Sequence, residues 1–233
     1  MTQAAGKPGN ASHPSAGRAA GAPQPGRPDG LQGSRQGSPQ VGLDSLFAAL
    51  GPVGDADGPA PPRPVDRWNP DFCGDIDMRI AADGTWFYMG TPIGRHALVK
   101  LFASILRKDP ERYVLVTPVE RVGIKVEDAP FIAVEMAVQG AGERQSISFR
   151  TNVDDVVRVG PDHPLRFERD ADGGLKPYVR VRGDLWALVK RALMYDLAGL
   201  GVEQPAADGG EAQFGVLSDG DFFPMARISE LAV

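Results

Sequence analysis

A mainly antiparallel β fold of the α+β class is predicted by three features of the sequence. Short segments between residues 72 and 225 alternate apolar and polar side chains, the period-two signature of strands. Asp83-Gly84, Gly140-Ala141-Gly142, Asp172-Gly173-Gly174 and Asp219-Gly220 punctuate them as hairpin turns do. Helical periodicity is confined to a few short stretches.

Residues 1–42 are Gly, Pro, Ser, Gln and Ala with almost no aliphatic or aromatic side chains. Such a tail cannot bury enough apolar surface to offset the entropy of ordering it, so it is predicted to be disordered. In residues 43–67 a short helix and a Pro-rich linker follow. Leu43, Leu46, Phe47 and Leu50 fall on one stripe, and Gly51-Pro52 stops the helix. So short a helix is unstable alone and must dock, either on the protein's own core or on a partner.

An N-terminal hairpin–helix β domain is expected over 68–118. Asp75–Ala82 and Thr85–Met89 form a hairpin around Asp83-Gly84, and Arg95–Arg107 reads as a helix facing inward through Leu98, Leu101, Phe102 and Ile105. A strand near 112–117 follows. The C-terminal domain, 119–225, carries strands near 121–127, 131–139, 144–151, 156–159, 164–169 and 175–182. A helix is expected over Asp184–Ala198, capped by Asp184, with Leu185, Leu188 and Val189 inward. The strand series closed by one helix is the outline of a pleckstrin-homology-like domain. A last hairpin over 212–217 and 221–225 precedes a tail, 226–233. The phrases Asp83-Gly84-Thr85-Trp86-Phe87 and Asp219-Gly220-Asp221-Phe222-Phe223 echo one another, as duplication or chance would make them.

Composition narrows the function. One cysteine, Cys73, closes no disulfide, and the start of the chain lacks the apolar run of a signal peptide. With no membrane-spanning run either, a cytoplasmic address is expected. The net charge is −5. The tail carries Lys7, Arg18, Arg27 and Arg35 against Asp29, leaving the folded body strongly acidic. An acidic body repels long polyanions, so a nucleic-acid-like ligand must be small or held at a local basic site.

Two faces present such chemistry. With a two-residue loop at Asp83-Gly84, Ile80 faces Phe87 and Arg79 faces Tyr88, placing Arg79, Trp86 and Tyr88 together opposite the core side. Two aromatics beside a guanidinium form a stacking platform with a bidentate donor. The alternative is that this face packs on the second domain. Lys176, Tyr178, Arg180 and Arg182 share a face of the last meander strand, and Arg150 lies on the polar side of its own strand. A basic stripe with a tyrosine binds phosphate or carboxylate, or is simply the wet face of a sheet. A junction bringing the two faces together would be a favoured ligand site.

Catalytic readings are weaker. Asp75 and Asp77 form a carboxylate pair, with Arg79 placed to neutralise it, so a hydrolase is the lesser alternative. His13, His96 and His163 have no metal spacing, and no nucleotide-binding Gly-rich loop or nucleophile-elbow phrase occurs. No catalytic residue, metal or cofactor is assigned.

The run Trp68-Asn69-Pro70-Asp71-Phe72-Cys73-Gly74-Asp75-Ile76-Asp77-Met78-Arg79-Ile80 resembles the bacterial domain-of-unknown-function 1285 family. So do Asp83-Gly84-Thr85-Trp86-Phe87-Tyr88, Val126-Glu127-Asp128-Ala129-Pro130-Phe131, Phe149-Arg150-Thr151-Asn152 and Tyr178-Val179-Arg180-Val181-Arg182. The resemblance spans about 43–225. It implies two related β domains from a duplicated core, the C-terminal one pleckstrin-homology-like. It also implies a site at their interface for a nucleotide-like or nucleic-acid-based ligand, and a role in signal transduction. The expectation is therefore a non-enzymatic ligand-binding or regulatory protein, with Arg79, Trp86, Tyr88, Arg150, Tyr178, Arg180 and Arg182 as its binding residues. A protein–protein interaction module with a signalling partner is the alternative.

Overall fold

The alternating segments pair into two six-stranded sheets and one three-stranded sheet. The computed structural model describes residues 43–50, 63–206 and 209–231. The tail over 1–42, the Gly51-Pro52 stop and most of the Pro-rich linker lie outside the described residues. Helix α1 (Leu43–Leu50) docks on the protein's own core, where Leu46 is fully buried and Leu50 packs beside it.

The first sheet holds β1 (Phe72–Ile80), β2 (Trp86–Tyr88), β3 (Thr91–Pro92), β4 (Leu106–Asp109), β5 (Arg112–Val116) and β6 (Arg121–Val126), in the order β3-β2-β1-β6-β5-β4. The second holds β7 (Phe131–Gln139), β8 (Ser146–Thr151), β9 (Val156–Arg158), β10 (Leu165–Arg169), β11 (Leu175–Arg182) and β12 (Leu185–Val189), in the order β10-β11-β12-β7-β8-β9. Both follow one plan. Two three-stranded meanders lie side by side, and the first strand of the domain runs parallel to the sixth, β1 with β6 and β7 with β12. This repeated plan makes the two β domains related. Helix α2 (His96–Ser104) joins the meanders of the first; α3 (Arg191–Gly199) follows the second. Strands β13 (Val202–Gln204), β14 (Gln213–Ser218) and β15 (Asp221–Arg227) make the third sheet.

Several expectations are corrected. Residues 185–189 are a strand, not the first turns of a helix. The segment Leu-Trp-Ala-Leu-Val suits either period, and the Gly183-Asp184 reversal decides, returning the chain antiparallel to β11 with Leu185, Ala187 and Val189 buried. Helix α2 likewise ends at Ser104, because 106–109 pair with 112–115 around the tight turn at Pro110-Glu111. Pro110 has the fixed φ that such a turn needs. Strand β6 pairs with β1 and β5, so the chain passes between sheets at 127–130 and not near 118. The C-terminal unit thus keeps strands closed by a helix, with six strands and a central parallel pair. Residues 226 and 227 extend β15, and Ile228–Glu230 form a helical turn where a tail was expected. The second Asp-Gly phrase joins β14 to β15, outside the repeated units, so its echo of the first is not the duplication.

One core cluster spans both domains. It takes Met78, Ile80, Trp86, Phe102, Ile105 and Leu115 from the first, and Phe131, Ile147, Phe149, Val179 and Ala187 from the second. The Met, Ile, Leu, Phe and Val side chains among these, fully buried, each contribute about 1.5–3 kcal/mol.

Candidate functional site

The first hairpin has a three-residue loop. Ala81 N–H donates to Thr85 O and Gly84 N–H to Ala81 O, both at 2.9 Å, and Gly84 sits at φ +84°. This is a turn closed by a left-handed glycine rather than a two-residue reversal. One extra loop residue moves every partner by one and exchanges the faces of the returning strand. Ile80 therefore faces Trp86, Arg79 faces Phe87 and Met78 faces Tyr88. Trp86 is 1% exposed, stacked on Phe102 at 6.2 Å between ring centroids, and its Nε1–H has no acceptor among the described residues. Tyr88 packs half-buried against the core. Arg79 lies on the opposite face, over the Phe87 ring at 4.0 Å. The platform of Arg79, Trp86 and Tyr88 is not formed.

Carboxylates of the inter-sheet passage occupy several predicted binding groups. Glu127 accepts from Arg79 Nη1 (2.8 Å) and Ala82 N–H (3.1 Å) in the first domain. These bonds, the backbone one foremost, hold its carboxyl below the usual range. Asp128 turns the other way. It accepts from the Tyr178 hydroxyl at 2.7 Å and pairs with Lys176. Burial raises the Tyr178 hydroxyl, and the Asp128 bond raises Lys176.

Arg150 and Arg182 belong to a second polar network, which docks α2 on the C-terminal domain. His96 Nε2 lies 2.8 Å from Asn152 O, Lys100 Nζ lies 2.7 Å from Asp154, and Arg182 Nη2 donates to Ala103 O at 2.7 Å near the helix C-terminus. A guanidinium there meets the negative end of the helix dipole. Arg182 also pairs with Asp155 at 2.5 Å. Arg150 grips Glu135 through two nitrogens and Asp154 through a third, which lifts it above its ordinary range. Lys100, then Arg150, lowers Asp154.

What remains open is a patch on the outer face of the second sheet. Lys176, Tyr178 and Arg180 do share this face, as expected; a register shift after Arg180 diverts Arg182. Cross-strand neighbours add Arg166 opposite Tyr178 and Trp186 opposite Arg180. The Arg166 guanidinium lies 4.1 Å from the Trp186 ring centroid and 5.1 Å from that of Tyr178. Arg166 also lies 3.2 Å from Glu168. Arg180 makes no ion pair among the described residues, and its Nε is buried without an acceptor. Tyr113 stands on β5 of the other sheet. Burial raises its hydroxyl, the charges of Asp184 and Asp128 add to this, and Arg166 opposes them.

Sequence reasoning missed Arg166 and Trp186. Trp186 was assigned to a helix; the Arg182-Gly183-Asp184 reversal was the available signal for a hairpin. Asp75 and Asp77 are both exposed, and Asp75 lies 3.7 Å from Arg112. Cys73 is exposed and free. Among the described residues no three metal-ligating side chains cluster, and no helix is long and apolar enough to cross a membrane.

Comparison with known proteins gives a consistent picture. The N-terminal domain model of DUF1285, a domain of unknown function, matches residues 63–129, and the C-terminal domain model matches 130–225. A crystal structure of a DUF1285 family protein from Silicibacter pomeroyi DSS-3 is 47% identical, with a TM-score of 0.72 over 82% of this chain and 98% of that one. A second family protein, from Shewanella baltica OS155, is 28% identical, with a TM-score of 0.43 over 53% of this chain and 91% of that one. No curated protein matches the chain. The boundary between the two domain models falls in the passage from β6 to β7, and the chain belongs to the DUF1285 family.

Proposed function

We propose that this protein is a non-enzymatic, cytoplasmic binding protein with a regulatory role. Its ligand is anionic with a flat ring, nucleotide-like in chemistry, and rests on the outer face of the second sheet beside the domain junction. One observation carries this reading: Arg180 is an unneutralised guanidinium with a buried, unpartnered N–H, set beside Trp186 and the ring-stacked Arg166. The outer N–H donors of such a guanidinium are left to a phosphate or carboxylate oxygen, in charge-assisted bonds worth about 1.5–3 kcal/mol each. Trp186 supplies a surface for base stacking, worth about 1–3 kcal/mol. Arg79, Arg150 and Arg182 are engaged by the protein's own carboxylates and take no part.

Thermal unfolding against a panel of nucleotides and short oligonucleotides tests the reading. A ligand at a hundred times its Kd adds about 2.7 kcal/mol. The shift should vanish in Arg180→Gln and shrink in Trp186→Ala. A full panel without any shift, or a shift that both variants retain, overturns the site.

A further inference from the structure

The outer face of the first sheet carries a different hollow, of about 340 Å³, lined by Phe72, Asp109, Pro110, Glu111, Arg112 and Arg121. Its shape begins with Gly123 in β6. A Cβ there would lie 1.9 Å from Asp75 Oδ1 and 3.4 Å from Phe72 Cζ. The missing side chain thus lets β1 lean its side chains over β6. Arg112 reaches across from β5, its guanidinium 4.6 Å from the Phe72 ring centroid. Stacking on that ring leaves the edge of the guanidinium fork, where its N–H donors lie, turned away from the ring.

The charges on the wall are unequally spent. Asp109 accepts from Arg107 Nε at 2.7 Å and Arg121 Nη1 at 3.1 Å, so its carboxylate is satisfied from two sides. Arg107 is fixed in turn by the backbone carbonyls of Val65 and Trp68 at 2.8 and 2.7 Å. Arg112, by contrast, has among the described residues only a 3.7 Å pairing with an exposed Asp75. Arg121 keeps a buried Nε–H with no acceptor among the described residues. Arg112 and Arg121 therefore border one hollow, beside the flat faces of Phe72 and Pro110, and Glu111 is the wall's exposed carboxylate.

We propose that this hollow binds a small carboxylic acid anion with a flat or apolar body. The carboxylate takes the Arg112 fork, with the Arg121 guanidinium beside it, and the body lies against Phe72 and Pro110. Planar, bidentate recognition is what distinguishes guanidinium from ammonium. The volume, at the low end for small-molecule sites, limits the body to about one ring. The site shares no residue with the Arg180–Trp186 patch.

Titration of the full-length protein with benzoate, followed on the arginine Nε–H resonances by 1H–15N spectroscopy, tests the proposal. A probe of this size should saturate in the millimolar range. It should move the Arg121 Nε–H and leave the Arg150 Nε–H in place. Arg112→Gln, at the surface, should weaken binding about tenfold or more, and Phe72→Ala severalfold. Trp186→Ala should leave it unchanged, separating this site from the nucleotide patch. The absence of saturable movement at Arg121 overturns the proposal. So does equal binding of benzamide, which lacks the charge, or of inorganic phosphate, which lacks the body, or full retention of affinity in Arg112→Gln.

Discussion

Replacing Trp86 and Phe87 one at a time by alanine distinguishes the observed hairpin register from its two-residue alternative. In the structure Trp86 is 1% exposed and stacked on Phe102, so Trp86→Ala should cost about 3–5 kcal/mol, as large aromatic truncations in cores do. Phe87 is half-exposed under Arg79. Its loss removes a surface cation–π contact of about 0.5–1 kcal/mol and a little packing, about 1.5 kcal/mol in all. With a two-residue loop the ranking reverses, because Phe87 would lie on the Ile80 side and Trp86 outside, where substitution costs about 0.5 kcal/mol or less. Trp86→Phe is the companion variant. It keeps a ring on Phe102 and deletes an N–H that has no acceptor, so its cost should stay below about 1.5 kcal/mol. Urea unfolding followed by far-ultraviolet circular dichroism reads all three without relying on tryptophan fluorescence. A Trp86→Ala cost under about 1 kcal/mol, or one smaller than that of Phe87→Ala, refutes the register and the core assigned to it.

Other perturbations follow from the same contacts. Gly84→Ala should destabilise by about 2 kcal/mol or more in the same unfolding assay. Its backbone is left-handed, and a Cβ would sit 2.6 Å from Ile132 Cγ1 and 2.9 Å from Asn152 Nδ2. Lys176 and Tyr178 both have raised pKa values in the fold. The native state therefore holds protons that the unfolded chain releases, and stability should fall as pH rises above about 10. Asp128→Asn should flatten that fall in alkaline urea titrations by releasing Lys176. Asp154 has the opposite sign. Its carboxyl is lowered by Lys100, so its contribution is complete above about pH 4 and is lost as pH falls through the depressed value. Lys100→Met should shift the acid-unfolding midpoint upward.

The sequence reads best where one period dominates. Phe131–Gln139 and Leu175–Arg182 have the predicted bounds, since their β-branched and aromatic alternation fits no helix. It reads worst where a local phrase admits two answers that only tertiary pairing separates. Asp83-Gly84 and Asp219-Gly220 look alike, yet the second is a two-residue turn between Ser218 and Asp221 and the first carries an extra residue. The difference lies in what surrounds them. Ala82 N–H is claimed by Glu127 from the distant passage between the sheets, and the Gly84 edge meets Ile132 and Asn152 of the other domain. Parity carried the predicted stacking face, so that one residue removed it. The stripe on Lys176, Tyr178 and Arg180 survived because it lies within one strand and needs no loop length.

An arginine's partner separates a structural role from a binding one more sharply than its position on a strand face does. Arg79, Arg150 and Arg182 are each engaged by a carboxylate or carbonyl from another element; Arg79 fastens the passage between the sheets, Arg182 the docked helix, and Arg150 ties Glu135 to Asp154 within the second domain. Their charges were satisfied on folding, and a ligand anion would have to break those bonds to bind. Arg180 and Arg112 differ. The first has no carboxylate partner among the described residues and the second has a distant, exposed one, although both stand beside aromatic rings suited to a flat ligand. An acidic protein that leaves guanidinium groups in this state forgoes an available ion pair. Neutralising them with an engineered carboxylate therefore distinguishes the two explanations. If they are idle, Trp186→Glu beside Arg180 should cost about 1 kcal/mol for the lost ring contact with Arg166 and reduce ligand-induced thermal shifts no further than Trp186→Gln, which removes the ring without adding a charge. If Arg180 awaits an anion, Trp186→Glu should abolish those shifts in the nucleotide panel where Trp186→Gln only shrinks them, and spare benzoate binding at Arg112.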